Sequence, residues 1–390
     1  MAETTIADLA RRGHLVFGDG YRTKRSEHGK PGYRILRVAD VGDGSLDLSG
    51  PDFVRREFAR SIGPKLSVAG DVLLTTKGTV GRVAIYPPGA EQVVYSPQLC
   101  YFRVLDAEEI HPRFLAYWFR SEAFRRQALH RANNTDMAPY INLRDIASLT
   151  LDLPDRGTQQ AIAEVLGALD DKIAANHRVI TASDALAEAR FDAAESRQEV
   201  ALSGLARFVN GKPFTKNATG TGRVVIRIAE LNSGLGGSTV YNDLEVPDDH
   251  IARPGDLLFA WSGSLTVTRW YRPEAIVNQH IFKVIPNAGV PMWFVAQSVK
   301  AKLAEFRAIA SDKATTMGHI QRHHLDLPVS VPDPQAVAAM DSMMTALWDV
   351  SLAREVENLR LVTTRDDLLP LLMSGKVRVR DAEKRVEEVL

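Results

Sequence analysis

The 390-residue sequence predicts an α+β protein, with two similar mixed α/β domains separated by two long antiparallel helices under a pseudo-two-fold relation. Three observations predict it. First, Gln159–Arg190 holds no proline and one glycine, and Ile162, Leu166, Leu169, Ile173 and Ile180 fall three, four or seven residues apart. That spacing makes one narrow apolar stripe on a helix, interrupted at Asn176; ~32 helical residues span roughly 48 Å. Second, the features before this stretch return after it. Gly70 and Gly255, Asp71 and Asp256, and Gly78 and Gly263 are each 185 residues apart. A fixed offset over several motifs marks a duplicated domain, not a short solenoid repeat. Third, a second helical stretch follows the second copy, Pro334–Leu361, with Val337, Met340, Met344, Leu347 and Leu361 near one stripe. Each apolar stripe needs cover, and the simplest cover is the sister helix.

The predicted order is residues 1–154 (first domain), 155–196 (central helix), 197–332 (second domain), 333–377 (second helix) and 378–390 (tail). In the first domain the β-branched runs at Tyr33–Val38, Asp71–Thr75, Arg82–Tyr86 and Leu99–Leu105 read as strands. His111–Leu129 reads as one helix with Pro112 in its first turn. Asn133–Tyr140 is a polar loop, and Ile141–Leu153 reads as strand-like. In the second domain Val224–Ile228 repeats Tyr33–Val38, Pro254–Phe259 repeats Ala69–Leu74, and Trp261–Ser264 stands in the place of Thr76–Thr79. Gln279–Val284 aligns with Gln98–Val104 with one residue deleted, Pro291–Phe306 repeats the helix, Thr315–His324 replaces the polar loop, and Leu325–Pro332 repeats Leu149–Pro154.

Composition is that of an ordinary globular chain. One cysteine, Cys100, excludes an intramolecular disulfide and a cysteine-based zinc site. The first residues lack a signal-peptide pattern, and no apolar run approaches ~20 residues, so a cytoplasmic protein without a membrane span is expected. Net charge is zero, yet it alternates. Basic residues number 21 to 18 acidic in 1–154, 4 to 8 in 155–196, 15 to 11 in 197–332, and 8 to 11 in 333–390. Two mildly basic domains thus alternate with two acidic helices, which permits a nucleic-acid-facing surface on the domains.

Catalytic signatures are missing. Thr76–Gly81 carries Lys and Gly in the wrong order for a phosphate loop, and Phe17–Gly20 suits a turn better than a cofactor loop. The Asn-Pro-Pro-aromatic motif of amino-methyltransferases is absent, as is a zinc-binding helix motif. His319, His323 and His324 crowd one stretch without further ligands at metal spacing, so no metal site is expected. Duplicated modules on rigid spacers suit a target with two separated half-sites, and bipartite DNA is such a target.

At this point the chain resembles the specificity subunits of type I restriction–modification systems. The resemblance rests on Gln159–Ile180, on Leu368–Val379 and on the paired elements Ala69–Leu74 and Pro254–Phe259. The second helix departs from the pattern at Met340, Trp348 and Arg354. The resemblance implies that each domain reads one half of a bipartite double-stranded DNA site. The helices set the distance between halves and dock two methyltransferase (M) subunits, with two restriction (R) subunits able to join. S-adenosylmethionine, ATP and magnesium then belong to those partners, and this chain carries no catalytic residue and no cofactor. Its role would be phage defence.

Candidate DNA contacts in the first domain are Lys24, Arg25, Lys30, Lys77, Thr79, Asn133, Asn134 and Tyr140. In the second they are Lys212, Lys216, Arg223, Ser262, Ser264, Arg269, His319, Gln321 and Arg322. Arg and Lys suit phosphates and guanine edges, and Asn suits adenine. The helix-pair seam is Ile162, Leu166, Leu169, Ile173, Asn176, Ile180, Val337, Met344, Leu347 and Leu361, leaving an acidic outer face for partner subunits. Two other classes stay open: a stand-alone DNA-processing enzyme, and a scaffold or inhibitor of a related defence system that does not bind DNA.

Overall fold

The computed structural model describes residues 2–131, 140–312 and 318–390. The chain forms two compact units, one of Met1–Lys172 with Leu361–Leu390, the other of Ile173–Arg360. Each unit holds one sheet-rich domain and a part of both long helices.

In the first unit, strands Leu15–Asp19, Leu99–Val104, Val72–Thr75 and Val83–Ile85 form an antiparallel sheet in that order. A second sheet sets Gly32–Leu36 antiparallel to Phe53–Arg55 and parallel to Val93–Tyr95. A two-stranded ladder, Ala2–Thr5 with Thr150–Leu153, closes the domain. The second unit repeats this plan. Ala206–Asn210, Ile281–Pro286, Leu257–Ala260 and Val267–Arg269 make the antiparallel sheet. Arg223–Ile226 lies antiparallel to Val240–Asn242 and parallel to Ala275–Val277, and Arg197–Ala201 pairs with Pro328–Pro332. The duplication read from spacing is thus a duplication of topology.

The ladders also correct its register. Thr75 pairs with Leu99 and Ala260 pairs with Ile281, so the counterpart of Gln98 is His280, not Gln279. Residue type had aligned the two glutamines. The backbone contradicts this: Thr76 N–H donates to the Gln98 carbonyl at 2.9 Å and Trp261 N–H to that of His280 at 3.1 Å. One glycine recurs that the 185-residue offset does not reveal. A Cβ on Gly20 would lie 2.2 Å from the Ser96 and Tyr95 carbonyl oxygens, and one on Gly211 would lie 2.0 Å from that of Asn278. At both points the chain crosses hard against backbone, and only glycine fits.

Three predicted elements differ. His111–Leu129 is two helices, Pro112–Arg120 and Glu122–Arg131. The break is at Ser121, which is extended (φ −77°, ψ 160°) and whose Oγ donates to the Trp118 carbonyl at 2.7 Å. Local side-chain bonding of this kind competes with helix continuation. The stretch 141–153 holds the helix Leu143–Ala147 before its strand, because the Asn142 side chain caps it by accepting from Asp145 N–H at 2.9 Å. The tail is not irregular: after the C-terminal helix, which runs Pro334–Met373 through Pro370 and lies within 333–377, Val379–Glu387 forms a further helix.

The central helix is Arg156–Asp192, 37 residues. Both long helices start on an aspartate: Asp155 accepts from Thr158 N–H at 3.0 Å and Asp333 from Ala336 N–H at 2.8 Å. These bonds hold both carboxyls below their ordinary range. Within the second unit the helices run antiparallel, since Asn176 bonds Asn358 and Asp184 accepts from Ser351. Within the first unit Arg365 bonds Asp170.

Of the seam residues, Ile162, Leu166, Leu169, Asn176, Met344 and Leu361 are buried, and Ile173, Ile180, Val337 and Leu347 are half-buried. Their cover is not only the sister helix. Val337, Met340, Met344 and Leu347 pack into the core of the second unit with Phe191, Trp293 and Phe294. Ile162 lines a cavity of about 500 Å³ with Phe114, Trp118 and Leu372. An amphipathic helix beside a domain buries its stripe against whichever apolar surface is nearest, and here that is largely the domain.

Candidate nucleic-acid interface

In each unit the topology brings two loops to one place. The first follows the strand Val72–Thr75 or Leu257–Ala260 and turns on a glycine in the left-handed region, Gly78 (φ 81°) or Gly263 (φ 69°). The second is the return from the helical segment. In the first unit Lys77 bridges to Tyr140, and Ile141 N–H donates to the Thr76 carbonyl at 3.0 Å. In the second unit Ser262 bridges to His319, and Ile320 N–H donates to the Trp261 carbonyl at 3.0 Å. Backbone bonds therefore hold a loop pair in the same way twice, while the side chains differ.

The first unit presents cations there. The Lys77 ammonium lies 5.6 Å from the centre of the Tyr140 ring. Thr79 is exposed at the loop tip. Below it, a cleft of about 370 Å³ is bounded by Asp19, Arg22, Lys77, Gln98, Tyr140 and Asn142. Arg22 and Gln98 were not read from the sequence. Gln98 would have emerged had the repeat been aligned by ladder register, and Arg22 stands two residues past the obligatory Gly20. Lys24 and Arg25 are exposed on a separate short turn, anchored by the buried Glu27 carboxylate, which accepts from Lys24 N–H at 3.0 Å. Lys30 lies over the Phe53 ring at 4.3 Å. Asn133 and Asn134 lie outside the described residues.

The second unit presents an aromatic surface. The Trp261 ring sits 5.0 Å from His280 and 6.3 Å from His319, and its Nε1 donates to Asn210 at 2.8 Å. Trp261 and His280 are further residues that the sequence reading passed over. Lys212, Lys216, His319, Gln321 and Arg322 are exposed. Ser264 is exposed and shares hydrogen bonds with Asn232 and Thr266. Ser262 is buried beneath the bridge, and Arg223 is half-buried, with its guanidinium 3.6 Å from Glu274. Arg269 is removed from any solvent-facing set. It is buried, its guanidinium bonds the Glu355 carboxylate at 2.8 and 3.1 Å, and it lies 4.5 Å over the Trp348 ring. Its strand, Val267–Arg269, turns this side chain toward the C-terminal helix, which carries Glu355 and Trp348.

Among the described residues no group of three His, Cys, Asp or Glu side chains could hold a metal ion, and no helix is long and apolar enough to cross a membrane. Cys100 lies at the floor of the first unit's cleft, and burial pushes its thiol up, which keeps it protonated at neutral pH. Exposed cations, amides and stackable rings on paired rigid loops are groups suited to phosphates and base edges.

Residues 20–182 match the family model described as the type I restriction modification DNA specificity domain. The type I restriction enzyme MjaVIII specificity subunit of Methanocaldococcus jannaschii is 26% identical over 156 residues, 38% of this chain and 36% of that protein. The putative type I restriction enzyme MjaX specificity subunit of the same organism is 25% identical over 161 residues, 40% of this chain and 37% of that protein. The matches thus span little more than a third of these relatives' length. In fold, the chain is similar to the crystal structure of the S subunit of a type I restriction–modification system from M. genitalium. The TM-score is 0.58 at 15% identity, with 95% of each chain covered.

Proposed function

We propose, on the premise that the chain belongs to the family of type I restriction–modification specificity subunits, that it selects the DNA sequence on which such a complex acts. Each domain reads one half of a bipartite double-stranded site. The two long helices fix the spacing and dock two methyltransferase subunits, to which two restriction subunits can add. S-adenosylmethionine, ATP and magnesium serve those partners, and this chain contributes recognition, not catalysis, in the cytoplasm.

The observation that carries this reading is the duplicated loop pair, Lys77 with Tyr140 and Ser262 with His319, each built on an equivalent four-stranded sheet of its own unit. A repeated framework with divergent side chains suits two half-sites of different sequence. Phosphate contacts from the exposed lysines and arginines would give affinity, and amides and guanidinium groups would give base selection.

The test is co-expression with a candidate type I methyltransferase subunit from the same genome, followed by sequencing of methylated bases. One bipartite motif carrying methyladenine is expected. An active methyltransferase complex that adds no sequence-specific methylation would sink the reading.

A further inference from the structure

The polar lining of the first unit's cleft is largely held by the protein itself. Thr76 donates to the Gln98 carbonyl through both N–H and Oγ1, each at 2.9 Å. The Asn142 side chain caps the following helix, and Lys65 pairs with Asp19 at 3.1 Å. Lys77 rests on Tyr140. The Lys77 ammonium and the Tyr140 hydroxyl make no hydrogen bond or ion pair with another described residue and meet only through that ring contact. Two groups lack even that: the Gln98 amide and the Arg22 guanidinium are exposed and make no hydrogen bond, ion pair or ring contact with another described residue.

The backbone beneath these two groups is fixed. Gly20 N–H donates to the Leu99 carbonyl at 3.0 Å, and Tyr21 N–H to that of Tyr95 at 2.7 Å. Gln98 is pinned by the two bonds from Thr76. An uncommitted amide and an uncommitted guanidinium on a fixed backbone rim are available for the two bidentate patterns a base edge offers: N6 and N7 of adenine for the amide, O6 and N7 of guanine for the guanidinium.

In the second unit Trp261 stands where the first has Thr76. Its indole reaches the counterparts of the cleft's own walls: Asn210 in the place of Asp19, His280 in that of Gln98, and His319 in that of Tyr140. The side chain that is short in one unit is, in the other, a plug bonded to the far wall.

We infer that the first unit reads bases through this cleft, with Gln98 and Arg22 as its specificity-determining residues, and that Trp261 closes the corresponding cleft in the second unit. The inference rests on the DNA-specificity reading above.

The test uses the full chain in complex with its methyltransferase subunits, reading methylated motifs and rates for Gln98→Ala, Arg22→Ala and Thr76→Trp. Gln98→Ala and Arg22→Ala should each relax one position of one half-site about tenfold or more, with the other half-site unchanged, as expected for loss of one bidentate contact. Thr76→Trp should abolish selection at that same half-site. Gln98 and Arg22 are surface side chains, so their variants fold, and thermal melting checks this. An unchanged motif at wild-type rate in both alanine variants overturns the inference alone. A wild-type complex with no sequence preference overturns the proposed function and takes the inference with it.

Discussion

The two domains are fastened to the long helices by the same charges on different elements. In the first unit the donors stand on the helix Pro112–Arg120. Tyr117 bonds Asp170 at 2.7 Å, Arg120 bonds it at 3.3 Å, and Arg113 takes Asp171 in a fork at 2.8 and 2.9 Å. In the second unit the donor is Arg269 on a strand, held by Glu355 and lying 3.6 Å from Asp184. In both, the domain supplies the cation and the helices supply the carboxylates. Part of the alternation of basic domains and acidic helices along the sequence serves this joint. The helix acids expected to face partner subunits are in part spent inward. Asp170, Asp171, Asp184 and Glu355 all serve their own domain, and Asp341 accepts from Trp293 at 2.7 Å. What duplication preserved is the polarity of the joint, not its residues.

The units also differ in how deeply the joint is buried, and that difference orders the expected effects. Arg269 is buried against a carboxylate that burial pushes up and that Arg269 pulls back. Arg269→Ala leaves Glu355 without its cation in a partly desolvated place. It should destabilise the second unit by roughly 3–5 kcal/mol, the cost of breaking a buried pair from one side. Denaturant unfolding followed by tryptophan fluorescence would show it, and Arg269→Ala with Glu355→Gln should recover part of the loss. A single variant as stable as wild type would mean that the joint of the second unit is not electrostatic.

The corresponding change in the first unit is smaller. Asp170 is partly open to water, yet it accepts from three donors, Arg365 at 2.8 Å being the third. Asp170→Ala should cost about 2 kcal/mol, since it leaves the buried Tyr117 hydroxyl without its acceptor and the buried Arg120 with Asp43 alone. Arg113→Ala breaks an exposed fork and should cost less than about 1 kcal/mol. If Arg113→Ala proved the more damaging, solvent screening would not be what ranks these joints.

Much of this architecture is legible in the sequence, and the failures have physical causes. The long helices are legible because Ile and Leu recurring every three or four residues would scatter over both faces of a strand and share one face only on a helix. The domain repeat is legible through Gly70–Asp71 and Gly255–Asp256. There each aspartate accepts from the backbone three residues earlier, Val68 N–H at 2.9 Å and Arg253 N–H at 2.8 Å. Strands of three residues, such as Phe53–Arg55 and Val93–Tyr95, are too short to show alternation. Gly20 and Gly211 escaped because their offset differs from that of the other glycines. Gln98 escaped because residue type mimicked a register that only ladder hydrogen bonds define. Arg269 was misassigned because a cation's residue type cannot say whether its side chain meets solvent or a carboxylate on the neighbouring helix.

A comparably small effect, of opposite sign, concerns the polar break in the central helix. Asn176 is buried in the second unit, where its Nδ2 donates to Asn358 at 2.9 Å and to Glu357 at 3.1 Å. The Asn358 amide nitrogen, also buried, has no partner among the described residues. A half-satisfied polar pair in an apolar seam lowers stability, but it penalises every other register more, since a slipped helix would bury both amides unpaired. Replacing both residues together, Asn176→Leu with Asn358→Leu, should therefore raise the melting temperature slightly, by the equivalent of about 1 kcal/mol. It should also loosen the fixed alignment of the two helices. A cysteine pair placed across the helices one turn away would cross-link in one register in the parent and in more than one in the double variant. Single-register cross-linking in both would show that the apolar stripe alone sets the alignment and that the asparagines merely tolerate burial.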